Sequence, residues 1–408
     1  MTVSRRAFLA GASAAGAMSA SATNSGAEGG KQAERPLPNI LIVLADDLGK
    51  EGLSFYGNPM HRTPILDALA EKGRVFTRCF SSPLCSMSRA MLMTGLYQFD
   101  PRIDTIPNRG LHIKNIAPTI FKSLLRAGYS TIGAGKWHVG WFDYDLNHAS
   151  ALGVNRHLFW FMEDQATWAR SRWDSPRVVE NGKVGQRTGF TPEIYGHWLV
   201  EEIQSSPKPF LAYYAPNLVH APFINFKEQK IGGWRHFTDM VTFLDSIIGR
   251  VLKYVPKDTI VMFVSDNGSE TRVGGGKGTL SDLGCNVPLV VVGDGVAPGL
   301  DHSLIDLTDF HPTLAELVGV SLNENLHGQS FAPQIFGRTG KTRTHVMIYM
   351  ENRHEISWAV RDHRYKLYHG GRFFDLSIDH REEKPVPVEM IQIYYQAEHK
   401  NLLQKAPN

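Results

Sequence analysis

The chain has 408 residues, of which 42% are hydrophobic and 20% charged, a composition that excludes a wholly disordered protein and a multi-span membrane protein. Forty-three Lys and Arg against 40 Asp and Glu leave a net charge of +3, too even a balance to mark nucleic acid or an anionic membrane as partner. The three cysteines, Cys79, Cys85 and Cys285, exclude a disulfide framework, so any cysteine chemistry is local.

In chain order, the first segment reads as an address. Ser4-Arg5-Arg6-Ala7-Phe8-Leu9 sets an arginine pair before a weakly apolar stretch, and Ala20-Ser21-Ala22 supplies small residues for cleavage. The stretch is too short and too rich in Gly, Ala and Ser to span a membrane as a helix. Residues 1–22 resemble a twin-arginine signal peptide, which implies the twin-arginine export machinery as partner and a periplasmic or secreted location. Residues 23–37 read as a linker.

From there short apolar runs alternate with amphipathic stretches, which predicts an α/β fold with a large mixed, mainly parallel sheet between helices. The continuous apolar run Asn39–Ala45 is a strand buried on both faces. A helix is expected over 63–72, with Thr63 as its cap, Pro64 in its first turn and Gly73 past its end. A second helix over 119–127 stops at Gly128 in the same way. Further strands are expected at 130–134, 210–214, 259–264 and 288–292, and an amphipathic stretch after Pro312 leads to Gly319. Residues 38–335 are read as a catalytic domain. Short strands at 346–350, 358–361 and 365–368, with a closing helix over 388–403, predict a small antiparallel C-terminal subdomain at 343–408.

Four strands run into polar groups: Asp46-Asp47; Lys136-Trp137-His138; the segment to His220; and Asp266-Asn267-Gly268. Ligands of open α/β sheets bind beyond the carboxyl ends of strands, so these four ends are expected to converge. Asp46, Asp47, Asp266 and Asn267 are hard oxygen donors with no soft ligand beside them, a set that selects Ca²⁺ or Mg²⁺ over zinc. Taken singly, the first pair also suits a helix cap and the second a turn. Cys85 precedes the helical stretch 90–94, where a helix N-terminus stabilises a thiolate; the other reading is a small buried apolar residue. Arg89 follows one turn later. Lys136 and His138, one residue apart, face one side of an extended chain. Lys277 lies in Gly274-Gly275-Gly276-Lys277-Gly278-Thr279, which lacks Walker A spacing. It is either a point charge for an oxyanion on a closely approaching backbone or part of a solvated loop. His220 is a candidate loop acid or a structural histidine. Trp137, Trp141, Phe142, Trp160, Trp168 and Trp173 offer sugar-stacking faces or core packing.

Together these segments resemble the sulfatase family of the alkaline-phosphatase-like superfamily. The ordered motifs are Pro38-Asn39-Ile40 through Asp46-Asp47, Thr63–Ala70, Cys85-Ser86-Met87-Ser88-Arg89, Thr94–Tyr97, Gly128–Thr131, Gly135–Gly140, Asp266-Asn267-Gly268, Gly276–Thr279, Val360–Asp362 and Tyr365–Leu367. The resemblance implies that Cys85 is converted to formylglycine by a maturation enzyme, with Arg89 holding the modified side chain. It implies Asp46, Asp47, Asp266 and Asn267, with residue 85, around calcium or, alternatively, magnesium. Lys136 and Lys277 would bind sulfate oxygens, His138 would bond the formylglycine hydrate, and His220 would stand near the leaving oxygen. The implied activity is hydrolysis of a sulfated carbohydrate or a small aryl or alkyl sulfate. In the signature's third position Met87 stands where the family has Pro or Ala. Two other readings remain at this point: a phosphonate or phosphate-ester hydrolase, and a non-catalytic binder of sulfated glycans should Cys85 stay a thiol.

Overall fold

Seven consecutive uncharged residues, with the β-branched Ile40, Ile42 and Val43 among them, form β1 (Asn39–Ala45), and all seven are buried. The computed structural model describes residues 37–106, 110–162, 171–225, 230–351 and 356–407; the arginine-pair segment, the linker up to residue 36 and Trp168 lie outside the described residues. β2 (Arg74–Phe80), β3 (Ser130–Gly135), β4 (Arg156–Trp160), β5 (Phe210–Ala215), β6 (Thr259–Ser265) and β7 (Asn286–Val292) join β1 in an eleven-stranded sheet. Its central order is β2-β7-β6-β1-β5-β3-β4. β6, β1, β5, β3 and β4 run parallel, whereas β7 is antiparallel to both β6 and β2. The strands Arg177–Glu180 and Lys183–Gln186 finish one edge, and Gly299–Asp301 and Ile305–Asp306 pair with β2 at the other.

Alternation along β1 sorts its side chains into two cores. Ile40, Ile42 and Leu44 pack with α2 (Cys85–Thr94) and α3 (Ile120–Arg126), whereas Leu41, Val43 and Ala45 pack toward α1 (Pro64–Lys72), α4 (Thr191–Ser205) and α5 (Phe237–Leu252). Burying one such aliphatic side chain is worth about 1.5–3 kcal/mol, so this strand alone anchors both helical layers. Among the described residues no helix is long and apolar enough to cross a membrane.

Local expectations meet three corrections. Thr63 stands at the start of α1 but does not cap it. Its hydroxyl lies against the Ser54 hydroxyl and donates to Asp67, while the Asp245 carboxylate of α5 accepts from the N–H groups of Ile65 at 3.2 Å and Leu66 at 2.8 Å. Thr119, by contrast, caps α3 by accepting from Lys122 N at 3.1 Å. The second correction concerns α2, which begins at Cys85 itself rather than after Arg89, and ends at Gly95 with φ 76°.

The C-terminal strands are β8 (Val346–Glu351), β9 (Ile356–Arg361), β10 (Tyr365–Tyr368) and β11 (Phe373–Asp375), an antiparallel sheet in sequence order. Val346, Ile348, Ala359, Tyr368 and Phe374 share an apolar cluster with Phe80, Leu280 and Cys285, which joins the sheet to the main body. Val360, Leu367 and Phe373 instead meet Ile391 and Leu402. In the third correction, the closing helix is two, α6 (Val388–Tyr394) and α7 (Gln396–Leu403), separated at Tyr395.

Candidate active site

Strand register delivers the site. Ala45 pairs with Ser265 on the last rung between β1 and β6, so Asp46 and Asp266 leave the sheet side by side. Gly135 pairs with Ala215, so Lys136 emerges beside the segment that leads to His220. The Asp266 N–H donates to Ala45 O at 3.1 Å, and the Asp47 N–H to Asp266 Oδ1 at 3.1 Å. Asp47 has φ 62°, a left-handed turn that lets two adjacent carboxylates point differently.

All three carboxylates are buried and every one meets cations. Lys136 Nζ donates to Asp46 Oδ1 at 2.7 Å and Oδ2 at 3.0 Å. Arg89 Nε and Nη2 donate to Asp266 Oδ2 at 3.0 and 2.7 Å, and Nη2 lies 3.3 Å from Asp46 Oδ1. Arg89 is wholly buried and also donates to Lys136 O at 2.9 Å and to the Tyr213 hydroxyl at 3.1 Å. Lys277 Nζ sits 2.5 Å from Asp47 Oδ2 and 3.1 Å from His220 Nε2. The Cys85 thiol, at the first residue of α2, donates to Asp47 Oδ1 at 3.5 Å. Asn267 Nδ2 donates to the same oxygen at 2.9 Å, while its buried Oδ1 has no hydrogen-bond partner among the described residues.

The electrostatics follow from burial opposed by charge. Burial pushes Asp46 up, but Lys136, Arg89 and Arg172 outweigh it and hold the carboxyl well below its ordinary range. Burial also pushes Asp47 up, but His220 and then Lys277 outweigh it and hold the carboxyl below its ordinary value. For Asp266 burial prevails over Arg89 and raises the group to about 7. Burial, then the Asp266 charge, pushes the Cys85 thiol well up. Burial and the Asp266 charge thus oppose a thiolate at this helix N-terminus, in line with the reading of Cys85 as a buried side chain. Burial lowers His138 well below its usual value and takes His220 to about 3.

The structure brings together the polar candidates Asp46, Asp47, Cys85, Arg89, Lys136, His138, His220, Asp266, Asn267 and Lys277. Lys277 is part of a packed loop rather than a solvated one, with a side chain 14% exposed. Lys136 and His138 converge for a different reason than extended spacing: the chain turns at His138, with φ 56°. His138 Nδ1 is buried and unpartnered among the described residues. One further group has no motif to announce it. Arg172, on the segment between β4 and the strand Arg177–Glu180, is buried 3.4 Å from Asp46 Oδ2 and stacks over Trp160 at 4.9 Å. Of the aromatic candidates, Trp137, Phe142, Trp160 and Trp173 are core. Trp141 is half-buried and meets His138 edge-on at 6.2 Å. A separate cleft of about 820 Å³, lined in part by His61, Arg62, Asp67 and Lys253, contains none of these site residues.

Chemically, the cluster is three buried carboxylates and a free amide oxygen, suited to a hard cation, facing ammonium and guanidinium groups suited to an oxyanion. Asp46, Asp47, Cys85 and His220 present ligand atoms within 4.8 Å of one another.

The sulfatase family profile matches residues 38–320. Human arylsulfatase A is 31% identical over 381 residues, covering 81% of this chain and 74% of the relative. Dog N-acetylgalactosamine-6-sulfatase is 27% identical over 408 residues, covering 83% and 75%. Among solved structures, Ps i-CgsB in complex with k-i-k-neocarrahexaose superposes with a TM-score of 0.77 at 22% identity, covering 90% of this chain and 91% of that one, and so shares the fold.

Proposed function

The chain belongs to the sulfatase family and is a sulfuric-ester hydrolase, and from that premise we propose that it removes sulfate from a sulfated carbohydrate at the strand-end cluster. One observation carries this reading: the Cys85 sulfur and the Lys277 ammonium lie on the two oxygens of a single carboxylate, Asp47, at 3.5 and 2.5 Å. A nucleophile and an oxyanion-binding group are thereby aimed at one small volume.

Cys85 is the residue we assign to formylglycine, whose hydrate supplies a hydroxyl nucleophile and a second hydroxyl for releasing sulfate. Asp46, Asp47, Asp266 and Asn267 would hold calcium, or magnesium, which supplies positive charge at the transferring group; the unpartnered Asn267 Oδ1 fits a cation ligand. Arg89, tied to Asp266 and to Lys136 O, fixes the first turn of α2 and with it residue 85. Lys136 and Lys277 would bind sulfate oxygens, each such preorganised donor being worth about 3–4 kcal/mol of barrier. His220 Nδ1 bonds Ala221 O, which leaves Nε2 to accept from Lys277. That pair is placed to hand a proton to the departing oxygen. His138, with its unpartnered ring nitrogen, is the base for the hydrate.

The half-buried Trp141 beside His138 supplies an aromatic face for a sugar ring. The relatives named N-acetylgalactosamine-6-sulfatase and the neighbour in complex with a neocarrahexaose support a carbohydrate, while the relative named arylsulfatase A keeps an aryl sulfate as the second reading. Residues 38–335 form the catalytic part and 343–408 the subdomain in this reading, and residues 1–22 direct twin-arginine export to the periplasm or beyond.

The test is sulfate release. Protein co-produced with a formylglycine-generating enzyme and supplied with calcium should desulfate sulfated hexosamine or galactan oligosaccharides. It should do so faster than it hydrolyses matched phosphate esters. No release from such sugars or from a generic aryl sulfate would overturn the proposal.

A further inference from the structure

Three segments of the site rest on one short piece of chain, the helical turn Asp282–Cys285. Gly268, next to Asn267, donates its N–H to Gly284 O at 2.8 Å, and a Cβ at Gly268 would meet Leu283 O at 1.9 Å. Gly276, next to Lys277, approaches so closely that its Cβ would meet Gly284 N at 2.6 Å. Cys285 O accepts from Ser81 N at 2.8 Å on the chain entering the Cys85 segment. Backbone against backbone leaves no flexible side chain to absorb a displacement, so a shift of the turn is passed to all three.

The C-terminal sheet holds this turn. Lys366 of β10 has a fully buried side chain whose Nζ lies 3.0 Å from Asp282 Oδ1 and 3.0 Å from Glu382 Oε1. Arg361 of β9 donates to Asp282 Oδ2. Glu382 accepts from the Asp282 N–H at 2.7 Å and from the Tyr368 hydroxyl. Val360-Arg361-Asp362 and Tyr365-Lys366-Leu367 are sequence motifs for which the reaction itself has no use.

We propose that Arg361, Lys366 and Glu382 are positioning residues: through Asp282 they fix the turn against which Asn267 and Lys277 are set. The inference rests on the site assignment made above. It makes the C-terminal subdomain a determinant of the geometry of cation binding and sulfate binding, not only of folding.

Lys366→Met removes the ammonium and keeps an unbranched stem, and Lys366→Arg keeps a charge. In the matured enzyme Lys366→Met should speed amide hydrogen exchange over 268–285, weaken calcium affinity about tenfold, and lower kcat about 30–100-fold, the scale of an ångström-sized misplacement. KM should stay within about threefold, because ground-state binding is shared by many contacts. Lys366→Arg should recover most of each change. Wild-type exchange over 268–285, or wild-type kcat and calcium affinity despite a lower Tm, would overturn the proposal. Should Lys366→Met fail to fold, Asp282→Asn keeps the shape and carries the same readouts. A wild type that released no sulfate would overturn the site assignment, while the exchange comparison would still decide the clamp.

Discussion

Replacing His148 with glutamine should remove a defined part of the chain's sensitivity to acid. The ring is wholly buried. Trp137 Nε1 donates to its Nδ1 at 2.9 Å, and its Nε2 lies 2.8 Å from Ile113 O. An indole N–H only donates and a carbonyl only accepts, so the ring is the neutral Nε2–H tautomer. A proton on Nδ1 would confront the indole N–H. Burial, first of all, lowers the group from 6.5 to about 4. Because the folded value is depressed, the unfolded chain takes up the proton first as pH falls. The stability from neutral His148 is therefore complete above about 6.5 and lost progressively down to about 4. At 1.36 kcal/mol per unit the whole loss is about 3 kcal/mol, of which about 2 kcal/mol has gone by pH 5. Glutamine can accept from Trp137 and donate to Ile113 without titrating. Urea unfolding followed by tryptophan fluorescence, at pH 7.5 and 5.0 and matched calcium, reads the difference. His148→Gln should lose about 2 kcal/mol less than the wild type between those pH values; equal losses would refute the reasoning.

Lys277→Ala should lower kcat about 100–1000-fold, as expected for removing one preorganised donor, and steady-state sulfate release measures it. Arg89→Met should destabilise the fold by about 3–5 kcal/mol, because Asp266 and Asp46 would keep their burial and lose their guanidinium; a urea midpoint equal to the wild type's would contradict that. Chelation should abolish sulfate release and added calcium restore it, while activity that survives exhaustive chelation would exclude a cation role for Asp46, Asp47 and Asp266.

What is legible in the sequence is set by distance along the chain. A run of buried strand formers ending in Asp46-Asp47 announces a sheet edge with its own residues, and the same holds for Asp266-Asn267 after β6. The caps of α1 and α3 look alike in sequence, yet only Thr119 acts locally. Thr63 is displaced by Asp245, some 180 residues on, whose carboxylate no local pattern connects to α1. Arg172 is hidden for the same reason: its partners, Asp46 and the Trp160 ring, come from other segments. The state of Cys85 is hidden differently. Its place at a helix N-terminus can be read, but the burial that raises its thiol, and the Asp266 charge that adds to it, come from segments far apart in the sequence.

The mass of the tryptic peptide running from Cys79 to Arg89, from protein made in a host that matures sulfatases, tests the chemistry of the pocket most directly. An aldehyde in place of the Cys85 thiol, with Cys79 still a thiol, is the expected result. Intact thiols at both positions in protein that nonetheless releases sulfate would contradict the assignment of the nucleophile.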